Sequence, residues 1–185
     1  MNSFRNMISY LGISNECDYP SDPLTYKQFT VFETALVPEQ KPDIEHLTEV
    51  MTDIEISSIR ILHTPYDKKA IVTGMINQRF IYTADLPQQS VHSFHISIPF
   101  CEIVILKKIW DCVKIKIFLE DVDVFFVDKR TLKECKVLCL VVEKALNCSS
   151  EKNNEHCFIK HKSICNGNEA SSCCTFEEAP FCEEE

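Results

Sequence analysis

Between Lys69 and Leu106 the sequence alternates apolar and polar residues in two runs separated by one short polar connection. In the first run Ala70, Val72, Ile76, Phe80 and Tyr82 take even positions, with Thr73, Asn77, Arg79 and Thr83 at odd ones. In the second, Phe94, Ile96, Ile98 and Phe100 alternate with Ser93, His95 and Ser97. Side chains on a strand point to opposite faces in turn, so each run describes a strand with one buried face. The connection, roughly Ala84 to Gln89, is too short for the helix that a parallel crossover needs. The pair is expected to be a long antiparallel hairpin.

A chain of 185 residues suits one domain with appendages and can bury a real core. Its 45% hydrophobic content argues against wholesale disorder. The net charge of −9 speaks against a general nucleic-acid or anionic-membrane binder, which needs clustered Lys and Arg. No apolar run reaches the length of a membrane span. The opening residues, MNSFRNMISYLGIS, lack the continuous apolar segment of a secretory signal, so synthesis in the cytosol is expected.

Residues 1–23, with Gly12, Pro20 and Pro23, show no sustained period and read as an arm. Leu24 to Val37 is rich in Phe, Thr and Val and reads as a first strand or strand pair. Pro42, Asp43 and Glu45 suit the first turn of a short helix. From Thr48 to Leu62 the apolar positions begin even, at Val50, Ile54 and Ile56, and turn odd after Ser57-Ser58, at Ile59 and Ile61. A similar switch follows Phe100, where Glu102 takes an expected core position and Cys101, Ile103 and Ile105 take over. A third lies near Glu120-Asp121, between Val113, Ile115, Ile117, Leu119 and the later Val122, Val124, Phe126. One inserted residue turns every later side chain to the other face, so three switches predict strands bent at bulges.

The segment Thr131 to Leu146 admits two readings. Leu132, Cys135, Cys139, Val142 and Leu146 follow helical spacing, with Thr131 and Glu134 as a capping box. Val137 to Val142 is apolar on both faces and rich in branched residues, which favours a central strand. The expected fold is all-β and mainly antiparallel, a β-sandwich or barrel-like meander with bulged long strands and one short helix. Beyond Asn147 the composition shifts: residues 148–185 hold eight acidic and three basic residues and few aliphatics, an acidic cysteine-rich tail without its own core. The organisation is thus an arm (1–23), a β body (24–147) and a tail (148–185).

PEQKPDIEHLTEV (38–50), IRILHTP (59–65), VTGMINQRFIYTADLPQQSVHSFHISIPF (72–100) and VKIKIFLEDVDVFFVD (113–128) together resemble the SPOCS domain, a module of clostridial spore-coat and spore-morphogenesis proteins. The likeness spans about residues 35–145, and its most specific parts are QKPDIE (40–45), Gly74 to Gln78, QSVHSFH (89–95) and Pro99-Phe100. It implies a role in assembling the outer layers of an endospore. Members that end in a LysM domain recruit through that end; here the space is taken by the tail.

Eleven cysteines are many for a cytosolic protein. Cys17, Cys101, Cys112, Cys135 and Cys139 are scattered, mostly among apolar neighbours, where a free thiol acts as a small hydrophobe. Cys148, Cys157, Cys165, Cys173, Cys174 and Cys182 crowd the tail. They contain no C-x-x-C pair, which leaves a zinc ribbon with little support, and the adjacent Cys173 and Cys174 suit bonds to different partners. Disulfides within or between subunits are the favoured reading. A metal held by Cys157, His161 and Cys165, with Cys148 as a fourth ligand, is the weaker alternative. The spore setting fits the disulfide reading, since a protein made in the mother cell meets oxidising surroundings when that cell lyses.

His92 and His95 are three apart on a strand, face opposite ways and make a poor chelate; His92 reads as a hydrogen-bonded core or rim residue. Glu120, Asp121, Asp123 and Asp128 lack the glycine and spacing of a calcium loop and read as a solvated bend. No nucleophile elbow, phosphate loop, dinucleotide fingerprint or paired-histidine zinc helix occurs, so neither catalytic residues nor a cofactor are expected. The leading expectation is a structural protein of the spore surface, in coat, exosporium or appendage. It packs with itself or with coat partners and is cross-linked through the tail, with the arm as a natural strand donor. The alternatives are a monomeric adaptor that recruits one coat protein and, more distantly, a metal-binding protein.

Overall fold

The computed structural model describes residues 8–106 and 113–145. Within them the chain forms β1 (Ser9–Leu11), β2 (Thr25–Leu36), β3 (Ile44–His63), β4 (Lys68–Ala84), β5 (Val91–Leu106), β6 (Val113–Phe126) and β7 (Thr131–Lys144). The only helical turn among the described residues is a 3-10 turn at Glu16–Asp18. A four-stranded sheet runs in the order β1-β3-β4-β5, and a three-stranded sheet in the order β2-β7-β6. Only the β1–β3 pairing is parallel; the others are antiparallel. The expected all-β fold of long bulged strands is what the chain adopts.

The hairpin is present as β4 and β5, in unbroken register from Lys68↔Leu106 to Thr83↔Val91. Ala70, Val72, Ile76, Phe80 and Tyr82 are buried on β4, as are Phe94, Ile98 and Phe100 on β5. They join Ile115, Leu119, Leu132, Leu138, Leu140 and Val142 of the other sheet in one core between the two layers. Phe80 and Phe94 stack with ring centroids 4.7 Å apart, and Tyr82 meets Phe94 edge-on at 6.0 Å. Full burial of such a ring stabilises the fold by roughly 2 kcal/mol, so this inward face dominates the favourable energetics.

The layers also meet at their sides. Ser14 N donates to Leu119 O at 2.8 Å, and Ile44 N to Lys129 O at 2.9 Å, joining the β3 side of one sheet to the β6 side of the other. Across the opposite seam Lys27 Nζ on β2 lies 2.6 Å from Glu102 Oε2 on β5, and the Phe29 and Phe100 rings are 6.0 Å apart. The result is a sandwich with barrel-like closure.

Three expectations change. The short helix after Pro42 is absent, and β3 begins at Ile44 instead. Ile44, Leu47 and Val50 are spaced by three, as on a helix, yet all are buried on a strand. Register shifts at Ile44/His46 and Leu47/Glu49 absorb the extra residues. The switch after Phe100 does not turn the strand over: β5 has no bulge, and Val104 and Leu106 continue the buried even series. Glu102 is tolerated there because Lys27 pairs with it at the seam. The expected bulges near Ser57 and Glu120 are present, at Ile56/Ser58 and Leu119/Asp121. Last, the arm expected to donate a strand to a neighbour pairs in its described part with its own chain, Ser9–Leu11 against Glu49–Met51. Thr131–Lys144 is a strand, as favoured.

Gly74 sits opposite Ile56 and Phe100, and a Cβ there would collide with the Glu55 carbonyl oxygen and the Phe100 ring. Backbone cannot yield as a flexible side chain can. Gly74→Ala is therefore expected to lower unfolding free energy by about 2 kcal/mol or more, read as a lower urea midpoint at unchanged slope.

Candidate interaction face

The unflipped β5 creates a surface. Because its even side chains stay inside, Cys101, Ile103 and Ile105 all point outward and are exposed. They stand in register with outward residues of β4 and β3. Ile105 lies beside Lys69 and then Leu62, Ile103 beside Ile71 and Arg60, Cys101 beside Thr73 and Ser58, and Pro99 beside Met75 and Glu55. Leu62 is 44% exposed, Ile103 44% and Ile105 52%. With strands about 4.8 Å apart, these apolar side chains neighbour one another on one open face. Lys69 stands between Ile105 and Leu62 and is held by Asp67 at 3.3 Å. Leu62, Ile103 and Ile105 thus leave apolar surface on one sheet face rather than scattered singly.

The outer face of the second sheet is partly covered by its own chain. Tyr19 stacks on Phe118 with centroids 4.4 Å apart, over Cys139 and Val141. Burial, aided by Glu120 nearby, pushes the Tyr19 phenol up to about 12 and the Cys139 thiol up to about 11. Further along the same face Phe32 and Phe125 remain exposed.

At one end of the sandwich, Arg130 of the β6–β7 turn ties down the β2–β3 connection. Its guanidinium donates to the Lys41 and Val37 carbonyls at 3.1 and 3.2 Å, to the Pro38 carbonyl at 2.9 Å, and to Asp43 Oδ1 at 2.6 Å. Lys129 pairs with Asp85 of the hairpin turn. Tyr82 donates its hydroxyl to the Pro42 carbonyl at 2.9 Å, and Gln89 Nε2 donates to Glu45 Oε2 at 2.9 Å. The QKPDIE and QSVHSFH segments therefore meet directly, through Glu45 and Gln89. Here the distinctive residues hold loops together. Asp43 serves Arg130 rather than a helix start.

The sequence-derived candidates fall in separate places. His92 is half-buried, 2.9 Å from Ser90 Oγ and beside the Tyr82 ring, whereas His95 is exposed on the opposite face. Glu120 accepts from Gln28 at 2.8 Å, and Asp128 Oδ1 accepts the Arg130 backbone N–H at 2.7 Å, which holds its carboxyl below the usual range. No group of three metal-ligating side chains occurs among the described residues. Cys17, Cys101, Cys135 and Cys139 are free thiols. Cys112, the tail candidates Cys148, Cys157, Cys165, Cys173, Cys174 and Cys182, and the metal alternative Cys157, His161 and Cys165 lie outside the described residues. What the sequence reading missed is a polar cluster in the core: Thr52, Gln78, Glu134 and Lys136, all buried. The signal was available. Glu134 and Lys136 occupy even positions in register with buried Leu132, Leu138, Leu140 and Val142.

A family model described as SipL, SPOCS domain matches residues 43–127. Residues 43–127 are a SPOCS domain. The match runs from Asp43, an Arg130 ligand, to the β6–β7 turn, and takes in the hairpin and the apolar face. No curated protein and no solved structure matches the chain. The match points to a sporulation-related role. No helix among the described residues is long and apolar enough to cross a membrane.

The elevated Cys139 and Tyr19 groups make a pH prediction. Each folded-state pKa is raised, so each contributes stability that is complete below its unfolded value. That stability is lost as pH rises through about 11 for Cys139 and about 12 for Tyr19. Near pH 8, a limiting thiol alkylator is expected to label Cys101 and Cys17 while sparing Cys139, as mapped by peptide mass. Rapid labelling of Cys139 at that pH would contradict the packing of Tyr19 over it.

Proposed function

We propose that this SPOCS protein is a structural component of the endospore surface. It packs through the outer face of β3, β4 and β5 against copies of itself or a coat partner, and its cysteine-rich tail then ties the assembly covalently. The observation that supports this most is the exposed set Leu62, Ile103 and Ile105 on one sheet face, with half-buried Ile71 between Ile103 and Arg60 and with Cys101 nearby. A chain that keeps three aliphatics in water on one regular sheet face does so at a solubility cost, which contact with a partner removes. The proposal gives the protein no catalytic role and places its synthesis in the mother cell, with deposition on the spore.

A second reading is a monomeric adaptor that recruits a single coat protein. The covering of part of the β3 edge by β1 favours it, because it removes one of the edges along which copies could add. Sedimentation of the full chain separates the two. The structural role predicts concentration-dependent association that Ile103→Asp abolishes while circular dichroism stays unchanged, with larger species under oxidising conditions that dissociate on adding reductant. A monomer at all concentrations, with or without reductant, supports the adaptor and removes self-assembly.

A further inference from the structure

A sheet ends in edge strands whose outward N–H and C=O groups invite another chain, and most of the edges here are blunted. β1 covers Glu49–Met51 of β3, and bulges interrupt β3 on either side. β6 is broken by the bulge at Leu119/Asp121, where the Leu119 carbonyl accepts Ser14 N. On β5, the Ala84 N to Ser90 O bond assigns even-numbered backbone groups to β4 and odd-numbered ones to the open edge. Pro99 is odd and has no N–H to offer there. β2 carries none of these devices. Its register with β7 runs without a shift from Thr25↔Val142 to Leu36↔Thr131, and it contains no proline. The Val37 N to Arg130 O bond continues that register, so odd-numbered groups serve β7 and even-numbered ones face outward. One of these, Thr34 N–H, donates to Glu33 Oε1 at 2.9 Å, a side-chain partner that another strand can replace. Lys27 and Phe29 reach β5 through side chains, and the two strands belong to different sheets.

Charge specifies the occupant. Lys27 and Glu33 are the charged residues of β2, and they stand equally far from Thr30 on either side. We propose that β2 pairs antiparallel with β2 of a second copy, about a two-fold axis at Thr30. In this register even-numbered residues meet even-numbered ones, so the outward N–H and C=O groups bond across the axis. Lys27 comes opposite the partner's Glu33, and Glu33 opposite the partner's Lys27. Both pairs fall at non-hydrogen-bonded positions, where facing side chains stand closest. Moving the axis to Phe29 or Val31 removes both pairings. Glu33 thereby acquires a cation, and Lys27, which already meets Glu102, a second carboxylate. The two β2-β7-β6 sheets merge into one continuous sheet. Because the same edge is used on both copies, pairing closes at a dimer. This surface is separate from the outer face of β3 to β5, so association through that face joins dimers.

The test is sedimentation of the full chain with reductant present, so that disulfides do not contribute, read beside circular dichroism. A reversible dimer is expected, and it persists in Ile103→Asp. Thr30→Pro removes one outward N–H and none that serves β7, so it is expected to stay folded and to sediment as a monomer. Glu33→Lys sets lysines opposite one another at both positions and is expected to raise the dimer dissociation constant by about tenfold. Mixing Glu33→Lys with Lys27→Glu restores opposite charges at both positions, and with them the dimer. Should Lys27→Glu fail to fold beside Glu102, Thr30→Pro and Glu33→Lys still decide. An unaltered chain that stays monomeric would overturn the proposal, and so would a dimer that Thr30→Pro leaves intact. Association that Ile103→Asp abolishes and Thr30→Pro does not would assign the contact to the outer face of β3 to β5 instead. Unchanged affinity in Glu33→Lys would overturn the register centred on Thr30.

Discussion

Burial of the even-numbered side chains of β4 is the contact on which the remaining structure depends. β4 is hydrogen-bonded along its length to β3 on one side and β5 on the other, so two ladders hold one register. A slip by one residue would turn Lys69, Asn77 and Arg79 toward the core, a far larger cost than any surface contact could offset. β7 plays the same part in the other sheet, between β2 and β6. The polar cluster at Gln78 and Glu134 lies where these two central strands approach.

The strands were legible because a two-residue period survives in each, and two of the bulges showed as changes of parity near Ser57 and Glu120. The misreadings share a physical cause. Apolar periodicity reports side-chain chemistry, not which face of a strand the core lies against. Cys101, Ile103 and Ile105 look like core, and a strand that stays straight leaves them outside. Near Asp43, bulges let a strand bury residues at helical spacing, so period alone misassigned the element. Glu134 and Lys136 were invisible for the opposite reason: a charged residue in an alternating run reads as solvent-facing unless the strand is known to be central and covered.

Much of what segments 40–45 and 89–95 do is to maintain shape, with Arg130, beyond the matched residues, as a partner. Arg130, Asp43, Lys41, Glu45 and Gln89 fasten loops at one end of the sandwich, and Gly74 admits a close approach of neighbouring strands. Arginine suits its post because a planar guanidinium reaches three carbonyls and a carboxylate at once, which a lysine cannot do.

The order of pairing along the chain also bears on how the protein is made. Among the described residues the backbone ladder of β2 is made with β7, from Thr25↔Val142 to Leu36↔Thr131, so its partner is synthesised roughly a hundred residues later. During that interval a strand carrying Tyr26, Phe29, Val31 and Phe32 waits on the ribosome with both edges open. β3 to β5, by contrast, can zip together as each emerges. Nascent chains crowded on one message would therefore meet first through β2, which makes local translation density a hazard that pairing with β7 reduces by closing one of its two edges.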